Sequence, residues 1–385
     1  MILKYYFSFI TFLVLTISCF AQLEKANGYF ELTNYPEAIK YYEKTLKKDP
    51  NNAEALRNIA FSHKKLKNYT AAEEYYQKAT SLSNNVLASD HLHYGQVLKN
   101  NNKPTEAKKQ FNLFLEKEPN SFLGKVLLNS IEEITVWEKE EKAFEINLVE
   151  NINSKYSDFC ALVYQDALIF ISERQIDFVN EKTNSSTNRP YLSIFYSKKE
   201  KNFEKVKEFS NQLSTEYHDG PVSISKDGNT IYFTRSIKGE LSKKSINHSK
   251  IYQASAKGSK WKDITPMPFN SEDYSVAHPW ITEDGKTLFF TSNMPGGFGG
   301  MDLYMSSKTG EEWGKPVNLG KEINTALDEV FPYIKDTLFY FASDGHGGYG
   351  GLDIYSIIFK NGKALGTPEN LKAPINSPAD DFGIT

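Results

Sequence analysis

The sequence predicts a multidomain chain: an N-terminal all-α superhelix of repeated helix pairs, followed by an all-β propeller of four-stranded blades. Three observations predict it. In the first third, small residues recur ahead of aromatic ones with a period of 34 to 35 residues. Further on, one start element appears five times at gaps of 61, 56, 54 and 52 residues. Lastly, 385 residues exceed what one hydrophobic core usually covers. With 40% hydrophobic and 14% aromatic residues both parts can be packed, which excludes general disorder. The 45 Lys and Arg against 48 Asp and Glu leave a net charge of -3, with no basic footprint for nucleic acid.

The first element is a targeting segment over residues 1–21. Lys4 precedes an apolar run from Tyr5 to Phe20 that ends at Ala21 before the polar Gln22, the order of a secretory signal peptide. Cleavage after Ala21 is the expected processing. Lipidation at Cys19 is the alternative; Ser18 suits it, whereas Thr16 stands where such a site prefers leucine. Cys160 is then left without a disulfide partner, and its context, Phe159 to Val163, predicts a small buried hydrophobe.

Residues 22–142 carry the helical period. Ala38, Ala72 and Ala107 each precede an aromatic residue by four positions: Tyr42, Tyr76 and Phe111. Ala26, Ala60 and Gly95 provide the close approach of each helix pair, and Pro50 and Pro119 stop units because proline cannot continue a helix. Three units are expected, closed by a helix over Ser121 to Lys142 with Phe122, Val126 and Ile134 inward. The stretch resembles the tetratricopeptide family, which implies a concave groove that takes a peptide or another protein. A spacer or dimerisation role is the alternative. The Lys pairs at 47 and 48, 64 and 65, and 108 and 109 are expected on solvated faces.

Residues 143–385 change to short alternating runs, beginning with Phe144, Ile146 and Leu148. The five start elements run from Asn153-Ser154, Ser214-Thr215, Asn270-Ser271, Asn324-Thr325 and Asn376-Ser377 toward Asp158, Asp219, Ser275, Glu329 and Asp381. Each of the first four leads through a turn to an apolar strand. Asp227-Gly228 and Asp284-Gly285 mark that turn in two copies, and Asp336 stands there in the fourth. Third strands follow at Ile194, Lys250, Asp302 and Asp353, and fourth ones near Phe203, Trp261, Trp313 and Leu365. Four full blades and the start of a fifth are expected, with the final blade number open. Either Ala379 to Thr385 pairs back with the first blade, or the chain is a fragment of a longer protein, which is the favoured expectation.

Two glycine strings sit between the second and third strands of consecutive copies. One holds Gly296, Gly297, Gly299 and Gly300 before Asp302; the other holds Gly347, Gly348, Gly350 and Gly351 before Asp353. They lack the lysine and following helix of a phosphate loop. The reading favoured is structural: the glycines shape the loop while Asp302 or Asp353 accepts from backbone, with anion or Ca²⁺ binding the lesser alternative. These repeats resemble the WD-like propeller repeats of TolB and of OmpA-family periplasmic proteins. With tetratricopeptide units behind a signal peptide, the chain is similar to the N-terminal part of OmpA-family envelope proteins of the Bacteroidetes type. The resemblance implies an exported scaffold in the periplasm or at the outer membrane, possible membership of a secretion or gliding complex, and peptidoglycan contact only if a downstream OmpA-like domain exists.

No catalytic constellation is visible. His91 and His93 are two apart on a helix and face different ways; His218, His278 and His346 are isolated; Asp380 and Asp381 read as loop residues. The chain contains no nucleophile elbow, zinc-protease helix or Cys-x-x-Cys pair. The expectation is therefore a non-enzymatic protein without cofactor or metal. A propeller that binds a small ligand, glycan or peptide at its central opening is the alternative.

Overall fold

The computed structural model describes residues 21–82, 85–140, 144–149, 151–174, 183–199, 203–236, 248–258 and 260–385. The signal segment before Ala21 and the pattern change at Ala143 lie outside the described residues. The chain forms two compact units, one running to Ile131 together with Thr183–Arg189, the other made of Glu132–Lys182 and Pro190–Thr385. No helix among the described residues is long and apolar enough to cross a membrane.

The first unit is helical. Residues 21–31 (α1) pair with Tyr35–Leu46 (α2), Ala53–Lys65 (α3) with Tyr69–Ser81 (α4), and Ala88–Asn100 (α5) with Pro104–Lys117 (α6); Phe122–Trp137 (α7) follows. Asparagine starts three of these helices. The side chains of Asn34, Asn52 and Asn68 accept from the backbone N–H of Glu37, Ala55 and Ala71 at 3.3, 3.0 and 3.3 Å, which satisfies an otherwise orphaned donor. The turn within each pair is the same three times. Thr33, Lys67 and Asn102 take left-handed backbone with φ of 55°, 60° and 57°. The following amides of Asn34, Asn68 and Lys103 donate back to Tyr29, His63 and Leu98 carbonyls. These seven helices form tetratricopeptide repeats.

Packing follows the predicted period. Ala38, Ala72, Ala107, Tyr42 and Phe111 are 0% exposed and Tyr76 is 1% exposed. The closing helix departs from expectation. Phe122 is 73% exposed, and the inward stripe is Leu127, Ile131 and Ile134. Phe122 lies at the first position of α7, a turn before the seam along which this helix is covered.

The second unit holds four antiparallel sheets. The first contains Asp158–Tyr164 (β1), Ala167–Ser172 (β2), Ser193–Lys198 (β5) and Lys207–Glu208 (β6); the short strands Thr183–Asn184 (β3) and Arg189–Pro190 (β4), between β2 and β5 in sequence, form a separate two-stranded sheet, and Thr183–Arg189 belongs to the first unit. The second contains Asp219–Ile224 (β7), Thr230–Ser236 (β8), Ser249–Lys257 (β9) and Lys260–Pro266 (β10). The third contains Val276–Ile281 (β11), Thr287–Ser292 (β12), Asp302–Thr309 (β13), Glu312–Trp313 (β14) and Val317–Asn318 (β15). The fourth contains Glu329–Lys335 (β16), Leu338–Ser343 (β17), Asp353–Lys360 (β18) and Lys363–Asn370 (β19). Consecutive first strands β1, β7, β11 and β16 neighbour one another, and apolar clusters lie between adjoining sheets. The arrangement is a four-blade propeller.

Two local features explain the geometry. Gly228 and Gly285, at φ of 73° and 69°, close the turns before β8 and β12, and Asp336 takes φ 56° at the matching turn. Every first strand carries a bulge at the same place: Phe159/Leu162, Asp219/Val222, Ala277/Trp280 and Val330/Tyr333. One predicted strand is absent. Residues 144–149 are exposed and form no strand, so the alternation of Phe144, Ile146 and Leu148 has no partner to pair with. Phe203 makes an isolated bridge to Lys199 ahead of the fourth strand β6.

Candidate functional site

In the helical unit, α1, α3 and α5 present a row of partly exposed polar and aromatic side chains that the repeat pattern does not mark. The Tyr42 hydroxyl, buried beneath, donates to Asn27 Oδ1 at 2.6 Å and accepts from Asn58 Nδ2 at 2.8 Å. Burial pushes that phenol up to about 12. Phe30 and Phe61 contact at 5.6 Å, and Phe61 meets the His93 ring edge-on at 5.3 Å. The Lys64 ammonium donates to Gln96 Oε1 at 2.5 Å, so Lys64 is not simply solvated as predicted. Lys65 lies over the Phe61 ring at 5.4 Å. Burial, with the nearby Lys64 charge, lowers His93 to about 4, so it is neutral at physiological pH.

His91 instead contacts Gln110 Oε1 at 2.8 Å, away from His93. Arg57 and Asp90 join α3 to α5 through contacts at 3.0 and 3.2 Å. The resulting face offers amides, a cation and aromatic rings, which suits an extended peptide.

In the propeller, the start elements are latches. Ser154, Thr215 and Ser377 each donate both backbone N–H and hydroxyl to the carboxylate four residues on, at distances between 2.6 and 3.0 Å. Thr325 does the same to Glu329 at 2.7 Å. The asparagines of three copies bind the neighbouring third strand at both ends of their amide. Asn270 pairs with Ile251, Asn324 with Leu303 and Asn376 with Ile354, each giving and accepting one backbone bond.

The glycine strings lie against these latches. A Cβ on Gly299 would stand 2.3 Å from the Ala326 carbonyl carbon, and one on Gly350 would stand 2.0 Å from Ala379 O. One on Gly300 would meet Asp328 at 2.2 Å, and those on Gly297 and Gly348 would each meet the adjoining Asp302 or Asp353 at 2.2 Å. Gly296 and Gly347 take positive φ of 93° and 99°, and Gly351 donates to Ala379 O at 3.1 Å. Asp302 accepts from Phe298 N–H at 2.6 Å and from Asn318 Nδ2 at 2.8 Å, while Asp353 accepts from Gly350 N–H at 3.2 Å. The amides at this loop are therefore engaged by the next start element and by an aspartate.

The fifth start element repeats the docking of the fourth. Glu329 N–H donates to Met301 O and Asp381 N–H to Leu352 O, at 2.6 and 2.7 Å. Asp380 accepts from Leu352 N–H at 3.1 Å. Residues 376–385 form no strand; Phe382 stacks on Phe331 at 4.6 Å and meets Phe159 edge-on at 5.6 Å.

The central opening is lined by the bulge residues Cys160, Pro221, His278 and Phe331, with Trp280 and the tail residue Gly383 beside them. His278 stacks on Phe331 at 3.9 Å, and burial lowers it to about 3. Burial likewise raises the Cys160 thiol, which works against a nucleophile. His218 accepts from Leu192 N–H at 3.1 Å, and His346 contacts Ile323 O at 2.7 Å. Among the described residues no group of three or more His, Cys, Asp or Glu is placed to hold a metal ion.

Comparison with known proteins adds to the helical unit. A tetratricopeptide repeat family model matches residues 23–85. The chain is 35% identical over 99 residues to RNA polymerase II-associated protein 3 of Homo sapiens, covering 26% of this chain and 15% of that protein. It is 44% identical over 43 residues to Hsp70-Hsp90 organizing protein 3 of Arabidopsis thaliana, covering 11% and 8%. The chain thus spans a small part of the curated relatives it matches. Among solved structures, the first tetratricopeptide domain of Spaghetti (RPAP3) bound to the HSP90 peptide SRMEEVD is similar at 31% identity and TM-score 0.29, over 31% of this chain and 93% of that one. TolB from Acinetobacter baumannii is similar at 15% identity and TM-score 0.33, over 54% and 41%. The matched stretch lies within the helical unit, whose helix pairs are tetratricopeptide repeats.

Proposed function

We propose that this protein is a non-enzymatic scaffold of the cell envelope, exported to the periplasm or outer membrane, that holds partner proteins through the α1, α3 and α5 face. The observation that carries the reading is that face itself: Asn27, Asn58, Phe61, Lys64, His93 and Gln96 stand partly exposed in one row while the repeat residues are consumed by the core. The SRMEEVD peptide held by the Spaghetti domain is an example of what a related array takes. Assembly with an OmpA-family secretion or gliding complex is the finer form of the proposal.

Crosslinking in intact cells followed by mass spectrometry tests it. Envelope proteins should be recovered with the native chain and lost with Phe61→Ala plus Lys64→Ala; recovery of none with the native chain overturns the reading. A second reading places a small ligand at the central opening, since Cys160, His278 and Phe331 from three blades converge there. Equilibrium dialysis against a metabolite panel, compared between the native chain and Phe331→Ala, tests that reading.

A further inference from the structure

We infer that the cleft between the first and second blades binds a neutral oligosaccharide. The cleft, of about 630 Å³, is bounded by the β1–β2 turn at Tyr164 and Gln165, the segment Phe209 to Gln212 after β6, and the β9–β10 hairpin at Lys260 and Trp261. That volume falls within the range of small-molecule sites. A second cavity of about 280 Å³ begins at the same Tyr164 and Gln165 and runs on to Ser225 and Gly228, so the groove has room for more than one sugar ring.

The chemistry of the wall selects the ligand. Ser210 Oγ donates to Gln212 Oε1 at 2.9 Å, which holds the carbonyl end of that cleft-lining amide and keeps its NH₂ as the donor end. Gln165 Nε2 lies 3.2 Å from Tyr164 Oη, so its carbonyl oxygen remains as an acceptor, on a residue held at φ 53°. Phe209 is braced from the core by Tyr196 at 6.1 Å and by the buried Trp261 at 6.2 Å, and the half-buried Tyr164 and Phe209 rings supply the aromatic part of the cleft lining. A pyranose presents hydroxyls that need both donors and acceptors, and a C–H face that needs an aromatic surface. Glu208 and Lys260 carry opposite charges across the same cleft, so the wall offers no net charge to a phosphate or a polyanion.

The test uses the full chain and calorimetric titration with cellohexaose, maltohexaose, chitohexaose and mannohexaose, each to about 5 mM. At least one should bind saturably, and Gln212→Leu or Gln165→Leu should weaken it by about tenfold while the melting temperature stays unchanged. Three outcomes overturn the inference: no saturable binding by any of the four, binding unaffected by both variants, or binding to this cleft of acidic or basic peptides in preference to the sugars.

Discussion

Within a helix pair the contact is an aromatic ring against a residue with no side chain, as where Phe111 of α6 fills the space beside Gly95 of α5. Between consecutive blades it is an amide or a carboxylate under the surface, as where Asn324 pairs with both backbone groups of Leu303. Both devices repeat a unit, yet they respond to different stresses. Shape complementarity is indifferent to pH and sensitive to a methyl group. A buried polar latch tolerates small changes of shape elsewhere but is sensitive to the loss of one partner or one proton.

The blades also differ among themselves. Asp158 is joined to Arg174 and Asp219 to Arg235, and both arginines donate to a start-element carbonyl as well, Ile152 O or Leu213 O. The fourth blade has no arginine at this latch: Ser343 and Thr325 hydroxyls donate to Glu329, and His346 contacts the matching carbonyl, Ile323 O. Burial consequently pushes Glu329 up to about 7, with Asp344 adding to the rise against the hydrogen bonds.

The largest expected effect breaks an arginine latch. Arg235→Met leaves the fully buried Asp219 without its cation and should cost about 3–5 kcal/mol, read as a fall in urea midpoint. A loss of less than about 1 kcal/mol would refute the latch. Glu329 comes next. Its folded value lies above the ordinary carboxylate range, so the folded state holds the proton more tightly, and stability falls as pH rises from about 4.5 to about 7. Glu329→Gln should remove that fall, gaining up to about 3 kcal/mol at pH 8 and nearly nothing at pH 4. Equal effects at both pH values would show that the carboxyl is not the titrating group.

A methyl group tests the other half of the comparison. Gly95→Ala places a Cβ 2.4 Å from Phe111 Cε1 and should destabilise the helical unit by about 1–3 kcal/mol, with no change in its pH dependence. The smallest effect is a gain. Thr33, β-branched at φ 55°, stands where glycine suffers no steric penalty, so Thr33→Gly should stabilise the helical unit by about 1 kcal/mol, read as a rise in its melting temperature. Hydrogen exchange, read separately in each unit, distinguishes these two changes from those in the blades.

Much of the fold was legible because repetition multiplies a weak local signal. The alanine and aromatic spacing located Ala38, Ala72, Ala107, Tyr42, Tyr76 and Phe111, all in the core. The start elements located the first strand of each blade. Phe122 and the run Phe144 to Leu148 were misread because periodicity reports which residues could face a core, not whether another element covers them. The candidate site was hardly legible: Asn27, Asn58, Phe61, Lys64 and His93 come from three helices and share no motif, since a groove needs only surface chemistry and not a fixed spacing.

By itself, then, the sequence determined the two classes of repeat, their periods, the turns that demand left-handed backbone near Gly228 and Gly285, and the lack of any recognisable catalytic motif. Tertiary structure alone decided what the recurring polar residues do. Whether a carboxylate such as Asp219 or Glu329 is an ion pair or a near-neutral acid depends on which strand places an arginine or a serine beside it after folding. Those partners lie 14 to 16 residues away along the chain, and only the pairing of strands brings them within hydrogen-bonding distance.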